Sequence, residues 1–585
     1  MIWGYVVTAA IAVSFLGLIV SLFLARRDIR KSMAGVGKAS SLALIAIIVF
    51  FVVFALNFVK PVEQLYFDEN IYQGVALNIL MHGNALWCQY GTGYLHNCFA
   101  NAVYHDPVEI SFFLAVAFAI FGIGTTTAYH AQLLVGALSI VAVFGLAYVI
   151  FKRNDIAVAS AFAFTLMPML FIWSRTQADP DLYFMLLSTI AFFLFAVFAE
   201  HTNRKTLLAF MFSLILAVYA RSEAVLLVVV FAILMFAFGK DGIRETASSR
   251  LQKVVYTINS DTKTLLVFLA FIMLMIPQVY YLASELQSPS YGQPSNQSII
   301  SLSNFAENLV PNINFFSGAY NSIYEYPVVF PWETTMLAAI GFAFLVFYSK
   351  ERNRFSALLM LGLWILVYFL FYTSFYAGAV TYGVDSRFML QVLPGIAILA
   401  GVGIAELSVV YGGLIRGLCI KRKFRIKRIK KVRYAQACTY AAFAAVVFAS
   451  LLVPFALLLP LTAISPGSMP QQGVILPAIN FFYANYSKVP ANCLVFSFTP
   501  DIWYEVNRSS AQIDYLGSSD ANFTDTLKRY SCFVLDYGYW CLVPPYHNTT
   551  CKYALEDYKM KLLSQGPETP AGDAPAFYMI LNYTD

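Results

Sequence analysis

The chain has 585 residues, of which 59% are hydrophobic and only 12% are charged. A soluble globular protein carries about 25% charged residues, so this composition excludes a large soluble protein. The formal net charge of +6 is uneven, because ten of the 38 Lys and Arg residues lie between Arg416 and Arg433. A basic run of this kind can bind nucleic acid. Between two apolar runs it is more typical of a cytoplasmic loop near anionic lipid, and we expect no nucleic-acid partner.

Apolar runs recur along the chain, and a membrane span needs about 20 apolar residues. The first run, Ile2 to Leu24, is followed rather than preceded by basic residues. This order is typical of an uncleaved anchor whose N-terminus lies outside. The segment 109–122 is apolar but short, so we expect it to lie along the interface or to dip into the membrane. The predicted spans number about twelve: 3–24, 40–59, 129–151, 155–173, 182–199, 205–220, 223–239, 264–284, 334–349, 355–376, 388–412 and 436–463.

The distribution of basic residues predicts the orientation of these spans. With the N-terminus outside, the cytoplasmic loops hold 27 Lys and Arg residues. Before the C-terminal tail, the opposite side holds only Lys60, Arg175, Arg221 and Arg387. This asymmetry is the signature of a multi-pass membrane protein. The predicted outer segments include the first loop (60–128), the second loop (174–181), 285–333, 377–387 and the tail.

The tail is more polar than the rest and has short β-like runs between helical stretches, which predicts a small extracytoplasmic α/β domain. We therefore divide the chain into an additional N-terminal helix with its basic loop (1–39), a membrane domain (40–463) and a C-terminal domain (464–585). Glycosylation sequons are weak signals singly, but all fall in predicted outer segments, which makes the set informative. Their asparagines are Asn296, Asn485, Asn507, Asn522, Asn548 and Asn582.

The cysteines follow the same division. Six of the eight lie in predicted outer segments: Cys88 and Cys98 in the first loop, and Cys493, Cys532, Cys541 and Cys551 in the tail. Even numbers on an outer face suit disulfides. Zinc is the alternative, but no close CxxC pair is present, so disulfides are favoured.

Two acidic segments are candidates for a site. Asp68 and Glu69 stand in the first loop, just beyond a span. Carboxylates near lipid are costly and often functional, whereas an exposed acidic pair at a helix start is favoured by the helix dipole. Asp179 and Asp181 occupy the second loop, where the alternatives are a solvated Asp-Pro turn and a second acidic site facing the first across an outer cavity.

Two arginines, Arg221 and Arg387, lie at the predicted outer ends of spans. Each alone could be an interfacial arginine that reaches water, or could pair with nearby Glu223 or Asp385. Together, at the depth of a lipid phosphate, they predict a phosphate clamp, because guanidinium binds phosphate in a bidentate way. The sequence contains no P-loop, no serine nucleophile elbow and no zinc-protease helix, so an ATP-driven pump is not indicated.

This pattern resembles the GT-C membrane glycosyltransferases, in particular the protein O-mannosyltransferase and lipid A aminoarabinose transferase branch. The Asp-Glu pair followed three positions later by Tyr72 is similar to the family's signature. The resemblance covers about residues 40–412 and departs from the family in the early span 3–24 and in the absence of the Trp-Trp-Asp motif of oligosaccharyltransferases. Other similar segments are Tyr104–Gly122, Ala178–Asp181, Ala217–Leu226 and Ser386–Pro394.

The resemblance implies a mainly α, polytopic enzyme with a polyprenyl-phosphate (dolichyl-phosphate) sugar donor and a protein, lipid or glycan acceptor. Asp68 would be the general base, and inversion at the sugar carbon would follow. Glu69 or the Asp179/Asp181 pair would orient the acceptor or hold a divalent cation, Mg or Mn, with Glu69 and Asp179 as its ligands.

Arg221 and Arg387 would bind the donor phosphate. We place His105 with them, not as the base, although His105-Asp106-Pro107 replaces the family's expected Pro-Pro. The expected location is a cell membrane of archaeal type, or the endoplasmic reticulum in a eukaryote, with the site facing outward. A transporter or lipid flippase is the alternative, but such proteins tend to show internal repeats. A non-catalytic surface anchor would not explain the acidic loops.

Overall fold

The structure is a computed structural model of the chain. It describes residues 2–59, 68–91, 98–102, 108–240, 262–285, 299–318, 330–347, 352–376, 378, 384–421, 451–458, 472–518, 521–542, 550–568 and 572–581. The helices of the predicted membrane domain and the segment before it are α1 (Ile2–Ser32), α2 (Lys38–Phe58), α3 (Asp68–His82), α4 (Glu109–Phe121), α5 (Thr125–Phe151), α6 (Asn154–Thr165), α7 (Pro168–Trp173), α8 (Pro180–His201), α9 (Arg204–Ala220), α10 (Val225–Lys240), α11 (Thr262–Glu285), α12 (Leu302–Phe316), α13 (Trp332–Phe347), α14 (Arg352–Ser374), α15 (Leu393–Lys421) and α16 (Val453–Leu458).

Long apolar helices confirm a multi-pass membrane protein. Within the described residues, six helices are long and apolar enough to cross a membrane: Ile2–Ser32, Lys38–Phe58, Thr125–Phe151, Pro180–His201, Ser356–Ser374 and Ser386–Tyr411. Each coincides with one of the predicted spans. Of the other predicted spans, 223–239, 264–284 and 334–349 coincide with shorter apolar helices, and 205–220 coincides with α9. Most of 436–463 lies outside the described residues. The short segment 109–122 forms α4, as its apolar run predicts.

One predicted span is wrong as a single helix. The segment 155–173 is divided into α6 and α7, with Met167 in an extended conformation between them. Pro168, the first residue of α7, explains the break, because proline has no amide hydrogen and disfavours helical geometry in the residue before it. The predicted span 388–412 begins similarly with a 3-10 helix, Val384–Val392, which continues into α15 at Leu393.

The helix bundle is held together in part by close backbone contacts. A Cβ atom at Gly341 of α13 would lie 2.0 Å from the carbonyl oxygen of Leu399, and one at Gly403 of α15 would lie 2.2 Å from that of Leu337. Small residues let membrane helices approach closely where apolar side chains gain little by leaving lipid. The α13 and α15 pair therefore depends on both glycines.

A seven-stranded sheet lies beside the bundle, in the order β2-β1-β4-β3-β5-β7-β6. Its strands are β1 (Trp87–Gly91), β2 (Cys98–Ala102), β3 (Cys493–Ser497), β4 (Ser509–Gln512), β5 (Cys532–Tyr537), β6 (Met560–Gln565) and β7 (Ala576–Ile580). Strand β3 is parallel to β4 and β5, and the other pairs are antiparallel. The helices of this part are α17 (Gln472–Asn485), α18 (Pro500–Glu505), α19 (Ala521–Leu527), α20 (Tyr539–Leu542) and α21 (Thr550–Asp557).

The α/β character of the tail is confirmed, but the sheet is not confined to it. Strands β1 and β2 come from the first loop, and β1 pairs with β4. The sequence did not predict these two strands. The predicted boundary at residue 464 therefore separates segments that share one sheet.

Disulfides stabilise the tail. Cys493 is bonded to Cys532 across the neighbouring strands β3 and β5, and Cys541 is bonded to Cys551. Cys88, on β1, is also disulfide-bonded. The side chain of Cys98 lies outside the described residues.

Candidate active site

The first acidic pair lies at the start of a helix, and it is not an exposed pair. Asp68 and Glu69 form the first turn of α3, where the helix dipole favours negative charge. Asp68 is half-buried, whereas Glu69 is fully buried. An exposed acidic pair would need no explanation, but a buried carboxyl group is costly and requires support from its surroundings. The alternative of an exposed acidic pair therefore does not hold for Glu69, and the functional role of the pair stays a prediction.

Two glutamines connect α3 to the second loop. Gln73, one turn after Glu69, donates a hydrogen bond of 2.6 Å to Oε1 of Gln177, and Nε2 of Gln177 donates one of 3.4 Å to the hydroxyl of Tyr129. All three side chains are buried. The acidic turn and the second loop are thus joined through side chains.

The second loop is packed inside the protein and is not a solvated turn. Asp179 precedes α8, and its Oδ1 accepts a hydrogen bond of 2.9 Å from the backbone amide of Asp181. Gln132 of α5 donates to the carbonyl oxygen of Asp179 at 3.1 Å. Burial and the neighbouring carboxylate of Asp181 raise the pKa of Asp179 above its usual value. Pro180, the first residue of α8, suits this position because its missing amide hydrogen is not needed there.

Both predicted phosphate-binding arginines meet at Asp181. Nε of Arg221 lies 3.5 Å from one carboxylate oxygen of Asp181, and Nε of Arg387 lies 3.5 Å from the other. Asp181 is fully buried, and both arginines are largely buried. Arg221 follows the last residue of α9, and Arg387 lies in the 3-10 helix before α15, so two span junctions bring them together.

Three residues that the sequence analysis did not assign to the site complete this cluster around Asp181. Glu223 pairs with Arg221 at 3.0 Å, as the alternative of a local ion pair predicts, and Tyr372 donates a hydrogen bond of 2.6 Å to the same Oε1 atom. The ring of Phe388 stacks on Tyr372, and the guanidinium carbons of Arg221 and Arg387 lie 5.8 and 5.1 Å from its centroid. Cation–π attraction at such distances holds both guanidinium groups over one ring.

The end of α14, which carries Tyr372, is fixed by two buried asparagines of α12. Asn308 donates to the carbonyl oxygens of Thr373 and Phe375, and Asn312 donates to the hydroxyl of Thr373 and the carbonyl oxygen of Gly378. The last carbonyl groups of a helix have no partner within it, so these amides satisfy them. The position of Tyr372 is therefore set from outside its own helix.

Several predicted residues take other positions. Arg175 is buried, and its Nε donates to the carbonyl oxygen of Val59 at 3.2 Å, which ties the second loop to the end of α2. His105 lies outside the described residues, as do the asparagines of three sequons, Asn296, Asn548 and Asn582, and the side chain of Asn522. Asn507 is exposed, whereas both ends of the Asn485 amide are hydrogen-bonded within the protein.

The described residues do not by themselves bring together a ligand set for the predicted divalent cation. Within the ranges that the structure describes, no cluster of three or more His, Cys, Asp or Glu residues is placed to hold a metal ion. One oxygen of Asp179 already caps α8. Glu69 and Asp179 alone are fewer ligands than an all-protein metal site requires.

Comparisons with known proteins agree with the resemblance in the sequence. The sequence model of the family described as dolichyl-phosphate-mannose-protein mannosyltransferase matches residues 105–281, which is less than half of the chain. A comparison with curated proteins found no match.

Solved structures match over more than nine-tenths of the chain. The crystal structure of ArnT from Cupriavidus metallidurans bound to undecaprenyl phosphate matches with a TM-score of 0.53 at 13% identity, covering 94% of this chain and 99% of that one. The archaeal oligosaccharyltransferase AglB from Archaeoglobus fulgidus, in complex with an inhibitory peptide and a dolichol-phosphate, matches with a TM-score of 0.46 at 12% identity, covering 92% and 74%. The ArnT match shows a shared fold. The family match covers only part of the chain, and both findings agree with the resemblance in the sequence.

Proposed function

We propose that this protein is a glycosyltransferase that moves a sugar from a polyprenyl-phosphate donor to an acceptor hydroxyl at the outer membrane face. The observation that carries the proposal is the buried cluster in which Arg221 and Arg387 surround Asp181. Through the second loop, this cluster is linked to the acidic turn of α3. A mannosyltransferase family model and a fold shared with ArnT, which was crystallised with undecaprenyl phosphate, support the same chemistry.

Arg221 and Arg387 bind the donor phosphate in this proposal. Two guanidinium groups near one aromatic ring form a rigid, weakly hydrated surface for a phosphate group, and each carries five donor hydrogens. Asp181 and Glu223 balance the two positive charges within the protein. The donor phosphate then competes with these carboxylates for the arginines, and they pair again when the polyprenyl phosphate leaves. His105 stays a predicted contributor to this subsite.

Asp68 is the proposed general base. It is half-buried, so an acceptor can reach its carboxylate, whereas Glu69 is fully enclosed and suits a supporting role. The acceptor oxygen attacks the anomeric carbon and its proton passes to Asp68. The bond from that carbon to the phosphate oxygen breaks, its electron pair stays on the phosphate, and the arginines stabilise the charge. A single displacement inverts the configuration at the anomeric carbon.

No step of this mechanism is assigned to a metal ion, because the described residues do not assemble a site for one. Metal dependence is decided by treating the purified protein with EDTA and then adding Mg²⁺ or Mn²⁺. Full transfer after chelation would refute the predicted cation. Loss that is restored by one of the two ions would support a site completed by the donor phosphate and water.

The test of the function uses purified protein in lipid nanodiscs with polyprenyl-phosphate sugars and a membrane extract. Sugar transfer to protein, lipid or glycan identifies the acceptor class. We expect Asp68→Asn to abolish transfer while the protein still inserts and folds. The matched control is Asp525→Asn, which removes an exposed carboxylate of the sheet domain that pairs with Lys528. Near-normal turnover in Asp68→Asn would refute the assignment of the base, and counterflow uptake into vesicles without sugar transfer would favour a transporter.

The outward orientation is also part of the proposal. Asn507 is exposed in the described tail, so it is the sequon best suited to modification. Mass spectrometry of the native protein tests this orientation: a glycan at Asn507 supports it. Labelling of an Asn507→Cys variant from the cytoplasmic side alone would contradict it.

A further inference from the structure

The C-terminal part of the chain contacts the helix that bears the acidic pair. Helix α18 follows β3, and its Asp501 side chain is fully buried against α3 and β1. Oδ2 of Asp501 accepts a hydrogen bond of 3.3 Å from the indole Nε1 of Trp87, the first residue of β1. Three residues further along α18, Tyr504 is buried within the same hydrophobic core as the membrane helices. The sheet and the bundle are therefore joined at α18.

The fit between Asp501 and α3 depends on one glycine. A Cβ atom built on Gly74 would lie 1.6 Å from Oδ1 of Asp501 and 2.4 Å from its Cγ atom. No side chain larger than hydrogen fits there without displacing Asp501 or the helix. Gly74 thus provides a notch in α3, and the Asp501 carboxyl group occupies it.

The notch lies close to the acidic turn. Gly74 is six residues after Asp68 and five after Glu69 on the same helix. At 1.5 Å per residue, this corresponds to about 8–9 Å along the helix axis. Because a short helix moves as a rigid rod, a shift at the notch moves both carboxylates, and a misplacement of about 1 Å can cost 100-fold in rate.

We propose that Asp501 is a positioning residue, which occupies the Gly74 notch and thereby holds α3 with Asp68 and Glu69 in the position that sugar transfer requires. The inference rests on the proposed function, and it gives the C-terminal domain a role in the transfer step. Asp501 acts through α3 and does not touch the substrates.

The environment of Asp501 distinguishes a packing role from a charge role. Burial, with a smaller contribution from nearby Glu505, raises the pKa of Asp501 well above its usual value, although the Trp87 hydrogen bond opposes this. Burial thus disfavours the charged form of this carboxyl group, and an asparagine amide resembles the group in size and polarity. We expect Asp501→Asn to retain wild-type turnover.

The experiment is a double-mutant cycle in the full-length protein in nanodiscs. We expect Gly74→Ala to lower kcat by about 10- to 100-fold, with the donor KM little changed, because the new Cβ displaces α3. Asp501→Ala should lower kcat less. The double variant Gly74→Ala/Asp501→Ala should recover to the level of Asp501→Ala, because the smaller side chain makes room for the new methyl group. Hydrogen exchange of residues 68–82 should rise in both single variants.

Two results would overturn the proposal: wild-type kcat in Asp501→Ala with unchanged exchange in α3, or additive losses in the double variant. General destabilisation would not explain recovery of kcat in the double variant. It would also not explain wild-type turnover in Asp501→Asn. If the wild-type chain transfers no sugar, the proposed function fails, and hydrogen exchange still reports whether Asp501 holds α3. Should Gly74→Ala not fold, Asp501→Ala and the double variant still decide the question.

Discussion

Removal of the charge on Asp181 is the sharpest test of the arginine cluster. In Asp181→Asn, two guanidinium groups lose a shared, fully buried carboxylate that lies 3.5 Å from each of them. Removing one partner of a buried ion pair costs about 3–5 kcal/mol. Arg221 keeps Glu223 at 3.0 Å, and both arginines retain some exposure, so we expect the lower end, about 3 kcal/mol.

Two measurements on Asp181→Asn give results of opposite sign. Thermal unfolding in nanodiscs should begin several degrees lower than in the wild type. The affinity for polyprenyl phosphate should be retained or increase, because the phosphate no longer competes with this carboxylate for the arginines. In Arg387→Ala, by contrast, the affinity for the same lipid should fall.

The matched control is Glu406→Gln, which breaks an ion pair with Arg153 within the bundle. Glu406 lies 13 residues beyond the start of α15, about 20 Å along the helix, and Arg387 lies before that start. This variant should lose some stability and keep its lipid affinity and turnover. Unchanged stability in Asp181→Asn would refute the reasoning. So would a fall in its lipid affinity equal to that in Arg387→Ala.

Three further predictions concern single contacts. Tyr372→Phe removes a 2.6 Å hydrogen bond to the Glu223 carboxylate. Hydrogen bonds to charged groups are worth about 1.5–3 kcal/mol, so turnover should fall by about tenfold or more while the protein still folds. Wild-type turnover in this variant would contradict the prediction. Burial raises the pKa of Asp536 to about 6, despite hydrogen bonds from two neighbouring side chains. The folded protein therefore binds the proton of this carboxyl group more tightly than the unfolded protein does. The free energy of unfolding should fall as pH rises from about 4 through 6. Thermal unfolding of the wild-type sheet domain at a series of pH values should show this loss of stability, and Asp536→Asn should not show it. An equal dependence of stability on pH in both proteins would mean that another group causes it. Replacement of both Cys493 and Cys532 by serine removes a disulfide that joins residues 39 positions apart. The free energy of unfolding of the sheet domain, measured with denaturant, should fall by about 4 kcal/mol. An unchanged unfolding midpoint would contradict this prediction.

The fold was predictable where the signal is local. Apolar length alone locates the long helices, because a span must bury about 20 residues in lipid. The break before Pro168 was not predicted, although its signal was present in the sequence. The pairing of β1 with β4 could not be predicted, because it joins residues about 420 positions apart. Nothing in the local pattern of the first loop specifies such a partner.

The site was predictable in its charges but not in their partners. Arg221 and Arg387 could be identified from the sequence because basic residues are rare at the predicted outer ends of spans. Their common contact with Asp181 was not predicted, because it depends on how three span junctions pack. Tyr372 had no sequence signal at all: a tyrosine near the end of an apolar span is ordinary interfacial composition. Its hydrogen bond to Glu223 becomes informative only when the buried carboxylate beside it is seen, because a charged group in a dry site must be satisfied by its neighbours.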